Sequence, residues 1–152
     1  MGTEAGLAHL GVAVGDLDAA VRFYRSALGW ELWRGPLTID AGPQEHDVLG
    51  PGVRRFRQAH VAPPGGAPLL ELFEFLPRRP LAGDRWRPGI FHLCVIDADA
   101  VGRVKAIERA GGRRLSALWP HRPGAATALC YCAAPDGQLI EVATHADAEV
   151  YT

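Results

Sequence analysis

Leu7-Ala8-His9-Leu10-Gly11-Val12 and Ile90-Phe91-His92-Leu93-Cys94-Val95 are the two stretches on which the fold turns. They align with a shift of 83 positions, His9 on His92, and the same shift carries Asp16 onto Asp99, Val21 onto Val104 and Gly29 onto Gly112. Self-similarity that runs through a strand, a turn and a helix marks a duplicated unit. In each copy an apolar strand leads to an Asp that can cap a helix, because a short carboxylate satisfies backbone N–H groups left unpaired in the first turn. Leu17, Ala20, Val21, Tyr24 and Leu28 then recur at helical spacing, and Gly29 suits the left-handed residue that ends the helix. The second helix is expected from about Asp99 to Ala110.

Beyond each helix the pattern changes to strand-like runs. These are Glu31 to Arg34, Arg54 to Val61 and Leu69 to Leu76 in the first half, and Arg113 to Ala117, Thr127 to Ala133 and Gln138 to Thr144 in the second. Each half therefore reads as strand, helix and three strands. Module one covers about 5–76, a Pro-rich linker about 77–88 and module two about 89–146, all within one domain spanning 1–152. His9 to Glu71 is 62 positions and His92 to Glu141 is 49. The extra length falls most simply in Gly35 to Gly52, a Gly- and Pro-rich stretch expected to form a binding loop.

With 152 residues, 48% of them hydrophobic, the chain is long enough for one proper core. Sixteen Lys and Arg against 17 Asp and Glu give a net charge of -1, so no strong field draws nucleic acid or an anionic membrane. Cys94, Cys130 and Cys132 form no C-x-x-C pair and read as small buried fillers, which fits a reducing compartment. There is no signal-like N-terminus and no run of about 18 apolar residues, so a cytoplasmic protein is expected.

Strand alternation places Leu7, His9, Gly11 and Ala13 on one face, and His92 takes the equivalent position beside Cys94 and Ile96. Glu71 shares a strand face with Leu69, Phe73 and Phe75; Glu141 shares one with Leu139, Ala143 and His145. One histidine on a strand is ordinarily a core or surface residue, and each glutamate is unremarkable if its face meets water. Duplication makes the four positions equivalent in pairs. A carboxylate buried on an apolar face costs several kcal/mol unless it is paired, protonated or metal-bound. Two His and two Glu around one divalent ion (Zn, Ni, Co, Mn or Fe) resolve that cost and leave two octahedral positions for a substrate with two oxygens. The chemistry implied is Lewis-acid stabilisation of an enolate.

The segments LAHLGVAVGDLDAAVRFYRSALGWEL, LLELFEFLP, GIFHLCVIDADAVGRVKAIERAGG and APDGQLIEVATH resemble the vicinal oxygen chelate superfamily, which includes glyoxalase I, methylmalonyl-CoA epimerase, extradiol dioxygenases and the fosfomycin and bleomycin resistance proteins. The resemblance implies an α+β fold of two tandem βαβββ modules, forming a curved eight-stranded mixed sheet around a cavity. It carries metal binding onto His9, Glu71, His92 and Glu141. Many relatives have Asp before the P-D-G turn where this chain has Ala134, a departure in a mostly structural turn. Dioxygenases resemble the His9, His92 and Glu141 subset, and Glu71 would fill a position they leave open. Resemblance to the lyase and epimerase branch implies Glu71 or Glu141 as the base and a small carbonyl compound as substrate. The alternatives are a ring-cleaving dioxygenase and a non-catalytic protein that sequesters a drug or natural product.

Glu45, His46 and Asp47 are further acid or base candidates, whereas His60 and His121 receive no role. Arg54, Arg55, Arg57, Arg78, Arg79, Arg85 and Arg87 offer an anion site or a solvated surface. Trp30, Trp33, Trp86 and Trp119, with Phe73 and Phe75, suit either an apolar pocket or ordinary packing. Exposed strand edges favour association, and a homodimer is expected.

Overall fold

A computed structural model gives the fold and describes residues 7–77, 90–120 and 128–145. Arg78, Arg79, Arg85, Arg87, Trp86 and His121 lie outside the described residues. The chain divides into two compact units, each with its own sheet.

The first unit runs β1 (His9–Ala13), α1 (Leu17–Leu28), β2 (Glu31–Asp40), α2 (Pro43–Leu49), β3 (Arg55–Ala62) and β4 (Leu69–Leu76). Its sheet has the order β1-β4-β3-β2, with β1 parallel to β4 and the other pairs antiparallel. Asp16 caps α1 as expected, its Oδ1 accepting from the Ala19 N–H at 2.9 Å, and Gly29 ends it at φ 70°. The expected stripe of Leu17, Ala20, Val21, Tyr24 and Leu28 is buried, as are Ala59, Val61, Leu70 and Leu72 of the sheet. Each such fully buried large aliphatic side chain contributes roughly 1.5–3 kcal/mol.

The second unit runs β5 (His92–Ile96), α3 (Ala100–Arg109), β6 (Arg113–Arg114), β7 (Trp119–Pro120), β8 (Ala128–Ala133) and β9 (Leu139–Ala143). β5 lies parallel to β9, β9 antiparallel to β8, and β6 and β7 both pair with β8. Asp99 repeats the cap, its Oδ1 accepting from the Gly102 N–H at 2.9 Å. Val104 and Ile107 of α3, with Cys130, Cys132, Ile140 and Val142, fill this unit's core.

Mixed α+β architecture in tandem modules is what the sequence led us to expect, with three differences of detail. Of the run expected from Arg113 to Ala117 only Arg113–Arg114 is a strand, β6, and the short β7 follows outside it at Trp119–Pro120. Ser116 separates them, its hydroxyl accepting the Tyr131 N–H at 2.9 Å where a ladder carbonyl would otherwise stand. The candidate loop Gly35–Gly52 is largely regular: β2 continues to Asp40 and α2 follows. Pro36 would stop a central strand, but β2 is an edge strand whose register slips between Arg34 and Leu37, and proline is tolerated at such places. α3 runs as expected, Ala100–Arg109 with Asp99 and Ala110 at its ends. Gly112 beyond it serves packing, since a Cβ there would stand 2.7 Å from both the Ala133 carbonyl oxygen and Ile107 Cγ2. Among the cysteines, Cys130 and Cys132 are buried as expected, but Cys94 is exposed. Burial, reinforced by neighbouring Cys130, pushes the Cys132 thiol up to about 12, so it stays protonated and inert.

Arg57 donates to both carboxylate oxygens of Asp18, at 2.9 and 3.0 Å, and these hydrogen bonds hold the Asp18 carboxyl below its ordinary 3.8. A depressed folded-state pKa gives a contribution that is fully present above 3.8 and lost as the pH falls through the lower folded value. Asp18→Asn is therefore expected to flatten the acid limb of a melting-temperature profile between pH 7 and 3. Profiles that differ only by a constant offset would contradict this assignment.

Among the described residues, no helix is long and apolar enough to cross a membrane.

A candidate metal centre in two matching halves

Glu71 and Glu141 occupy the same place in their respective sheets. In the first unit β1 pairs with β4 so that His9 faces Leu69 and Gly11 faces Glu71; in the second, His92 faces Leu139 and Cys94 faces Glu141. The parallel register therefore sets each histidine two positions before the residue opposite the glutamate, on the same face. His9 Nε2 lies 3.3 Å from Glu71 Oε2, and His92 Nε2 lies 3.3 Å from Glu141 Oε2. Both glutamate side chains are 16% exposed, half-buried on faces that stay open beside their histidines.

The four expected ligands are thus brought together as two pairs, each within its own unit. Among the described residues, no group of three or more His, Cys, Asp or Glu is arranged around a common point. What each unit offers is a matched nitrogen and oxygen. Two donors about 2.1 Å from one divalent ion stand roughly 3.0–3.4 Å apart at angles between 90° and tetrahedral. The observed 3.3 Å separations suit that spacing, and imidazole with carboxylate is a donor set for borderline divalent metals.

The antiparallel neighbour completes each half-site. His60 of β3 stands directly opposite Glu71, and Tyr131 of β8 directly opposite Glu141. His60 Nε2 is 3.2 Å from Glu71 Oε1, to which the Gln58 side-chain amide also donates at 2.5 Å. The Tyr131 hydroxyl donates to Glu141 Oε2 at 3.0 Å. Sequence reading gave His60 no role and passed over Gln58 and Tyr131. A signal existed: His60 precedes Glu71 by 11 positions and Tyr131 precedes Glu141 by 10. Near-equal spacing across each hairpin places both opposite a glutamate.

Aromatic rings surround both halves. Phe73 and Phe75 stack beside Glu71 with centroids 6.1 Å apart and Phe56 packs against both. Phe91 meets His92 edge-on at 4.5 Å. Trp33 is exposed on β2 and turns an edge to His60, Trp30 stacks on buried Tyr24, and Trp119 is exposed on β7. Of the four tryptophans, only Trp33 adjoins a half-site among the described residues.

The other candidates have local partners. Glu45 accepts the Gly42 N–H at 2.9 Å at the start of α2, which holds its carboxyl below the usual range, and His46 Nε2 contacts the Val53 carbonyl at 3.0 Å. Arg55 pairs with Asp40, and Arg57 with Asp18 and Glu74, so neither is a free cation for an anionic ligand.

Comparison with known proteins places these halves in a wider group. The family model described as Glyoxalase/Bleomycin resistance protein/Dioxygenase superfamily matches residues 6–142. No curated protein matches the sequence. Among solved structures, a glyoxalase family protein from Bacillus cereus superposes with a TM-score of 0.78 at 22% identity, covering 94% of this chain and 95% of that one. The trypanothione-dependent glyoxalase I of Leishmania major gives 0.65 at 18% identity, covering 93% of this chain and 87% of that one. Glyoxalase I from Zea mays gives 0.60 at 21% identity; 91% of this chain matches 45% of that longer one. At these identities the likeness is one of fold.

Proposed function

The chain belongs to the Glyoxalase/Bleomycin resistance protein/Dioxygenase superfamily, and from that premise we propose that it is a divalent-metal-dependent lyase or isomerase acting beside the carbonyl group of a small substrate. His9, Glu71, His92 and Glu141 would hold the ion. The observation that carries this reading is the repetition of one His–Glu pair, in the same register and at the same 3.3 Å separation, in both units. Each pair combines an imidazole nitrogen with a carboxylate oxygen, a donor set for borderline divalent ions.

A divalent ion held there supplies Lewis-acid polarisation of the substrate carbonyl. The remaining work falls to the chain. Glu71 and Glu141 are the carboxylates positioned to take a proton from the neighbouring carbon and return it, a role that needs a base within hydrogen-bond reach of that proton. Phe73 and Phe75 continue the face of β4 that carries Glu71, and Phe56 packs against both, giving that face an apolar end. Tyr131 supplies a hydroxyl donor at Glu141 and keeps that carboxylate aligned on its strand face.

The test is the metal content of protein purified without added metal, followed by titration with Zn, Ni, Co, Mn and Fe salts. Near-stoichiometric uptake, together with exchange of a carbon-bound proton for deuterium beside a carbonyl in screened substrates, is the expected result. A well-folded protein that takes up none of these ions overturns the reading. Iron uptake with dioxygen consumption would assign a ring-cleaving oxygenase instead, and tight ligand binding that survives chelation would assign a sequestering protein.

A further inference from the structure

We infer that His60 and Gln58 are positioning residues that fix one oxygen of Glu71 so that only the other faces His9; this rests on the metal-site reading above. The Gln58 amide nitrogen donates to Glu71 Oε1 at 2.5 Å and His60 Nε2 lies 3.2 Å from the same oxygen, while His9 Nε2 lies 3.3 Å from Oε2. A carboxylate oxygen only accepts, so the amide must present its nitrogen and the imidazole a proton. The His60 side chain is 10% exposed and its Nδ1 is buried without a hydrogen-bond partner. A proton on Nδ1 would be a buried donor with nothing to meet, whereas a proton on Nε2 lies beside Oε1. The edge-on rings of Trp33, at 5.7 Å, and His9, at 6.4 Å, confine the imidazole in that orientation.

Two donors on Oε1 restrict Glu71 to presenting a single oxygen. The second unit is built differently. There Tyr131 donates to Oε2 of Glu141, the oxygen that His92 also faces. The duplicated halves thus share their His–Glu pair and differ in the residue opposite it, and among the described residues the two-donor clamp is seen in the first half. His60 acts through Glu71, its Nε2 directed at Oε1 while His9 faces Oε2.

The experiment measures Co²⁺ affinity by competition with a chelator for wild type, Gln58→Leu, His60→Leu and His60→Gln, with thermal melts to confirm folding. Loss of a ligand's supporting hydrogen bond costs about 10- to 100-fold in metal affinity. That loss is expected for Gln58→Leu and His60→Leu, and His60→Gln, which restores an N–H donor, is expected to recover most of it. Ring ¹⁵N shifts of metal-free protein give a readout independent of metal, with His60 in its neutral form expected to be protonated at Nε2 and to lose that preference in Glu71→Ala. Wild-type affinity in a folded His60→Leu protein, or a proton on Nδ1, overturns the inference. A wild-type protein that binds no Co²⁺ overturns the metal reading, and the ring shifts then decide the clamp.

Discussion

Glu71→Ala and His92→Ala, each purified like the wild type, are expected to emerge without metal and without turnover. The two residues lie in different units, Glu71 paired with His9 and His92 with Glu141. If each pair were only a local ion contact, removing one would leave the other unaffected. If both pairs hold one ion, either substitution takes away a ligand, and affinity should fall by more than the about 10- to 100-fold that follows loss of a supporting hydrogen bond. Both side chains are only part-buried, so the variants should still fold. Metal analysis beside circular dichroism checks this, and a folded His92→Ala protein that keeps a full equivalent of metal at wild-type affinity would falsify the shared site.

The largest effect on stability is expected from a residue outside the site. Glu74 is 1% exposed on the face of β4 opposite Glu71. Its Oε2 accepts the N–H of Leu17 in the first turn of α1 at 3.2 Å and the Arg57 guanidinium at 3.0 Å, and Arg57 reaches on to Asp18. This carboxylate ties the start of the helix to the sheet and meets the positive end of the helix dipole. Glu74→Ala leaves the Leu17 N–H without its acceptor and Arg57 with only its exposed partner. Breaking a buried charge pair from one side costs about 3–5 kcal/mol. Glu74→Gln keeps an acceptor and should cost less, about 1–3 kcal/mol. Urea unfolding of the two variants measures both losses; an alanine variant within about 1 kcal/mol of wild type would show that the pair contributes nothing net.

Much of this was legible in the chain. Helical spacing and paired aspartates marked α1 and α3, because capping and amphipathic burial are local demands that each segment must meet by itself. Leu69 to Leu76 reads as a strand and is one, since its alternate residues face a core and a half-open surface. Where local rules were overridden, the cause was a neighbouring strand. β2 runs past Pro36 because an edge position and a register slip absorb the missing donor, and the second strand of the second unit is cut short where the Ser116 hydroxyl takes up the Tyr131 N–H.

The site divides the same way. Duplication pointed to His9, Glu71, His92 and Glu141 because a repeat in sequence becomes a repeat in register, and strand alternation decides which face each side chain takes. Tertiary structure supplied Gln58, His60 and Tyr131 as partners, since the spacing of His60 and Tyr131 from each glutamate marks a position and not a contact. They reach the glutamates across antiparallel ladders, and a pairing between strands is a property of neither strand alone. Glu74 escaped for a related reason: alternation says that it faces away from Glu71, but not that a helix N-terminus and an arginine wait there to neutralise it. The sequence by itself determined the repeat, the helices and the donor types, which follow from period and composition. Partners for each carboxylate were decided in three dimensions, where distance and desolvation set which charges meet.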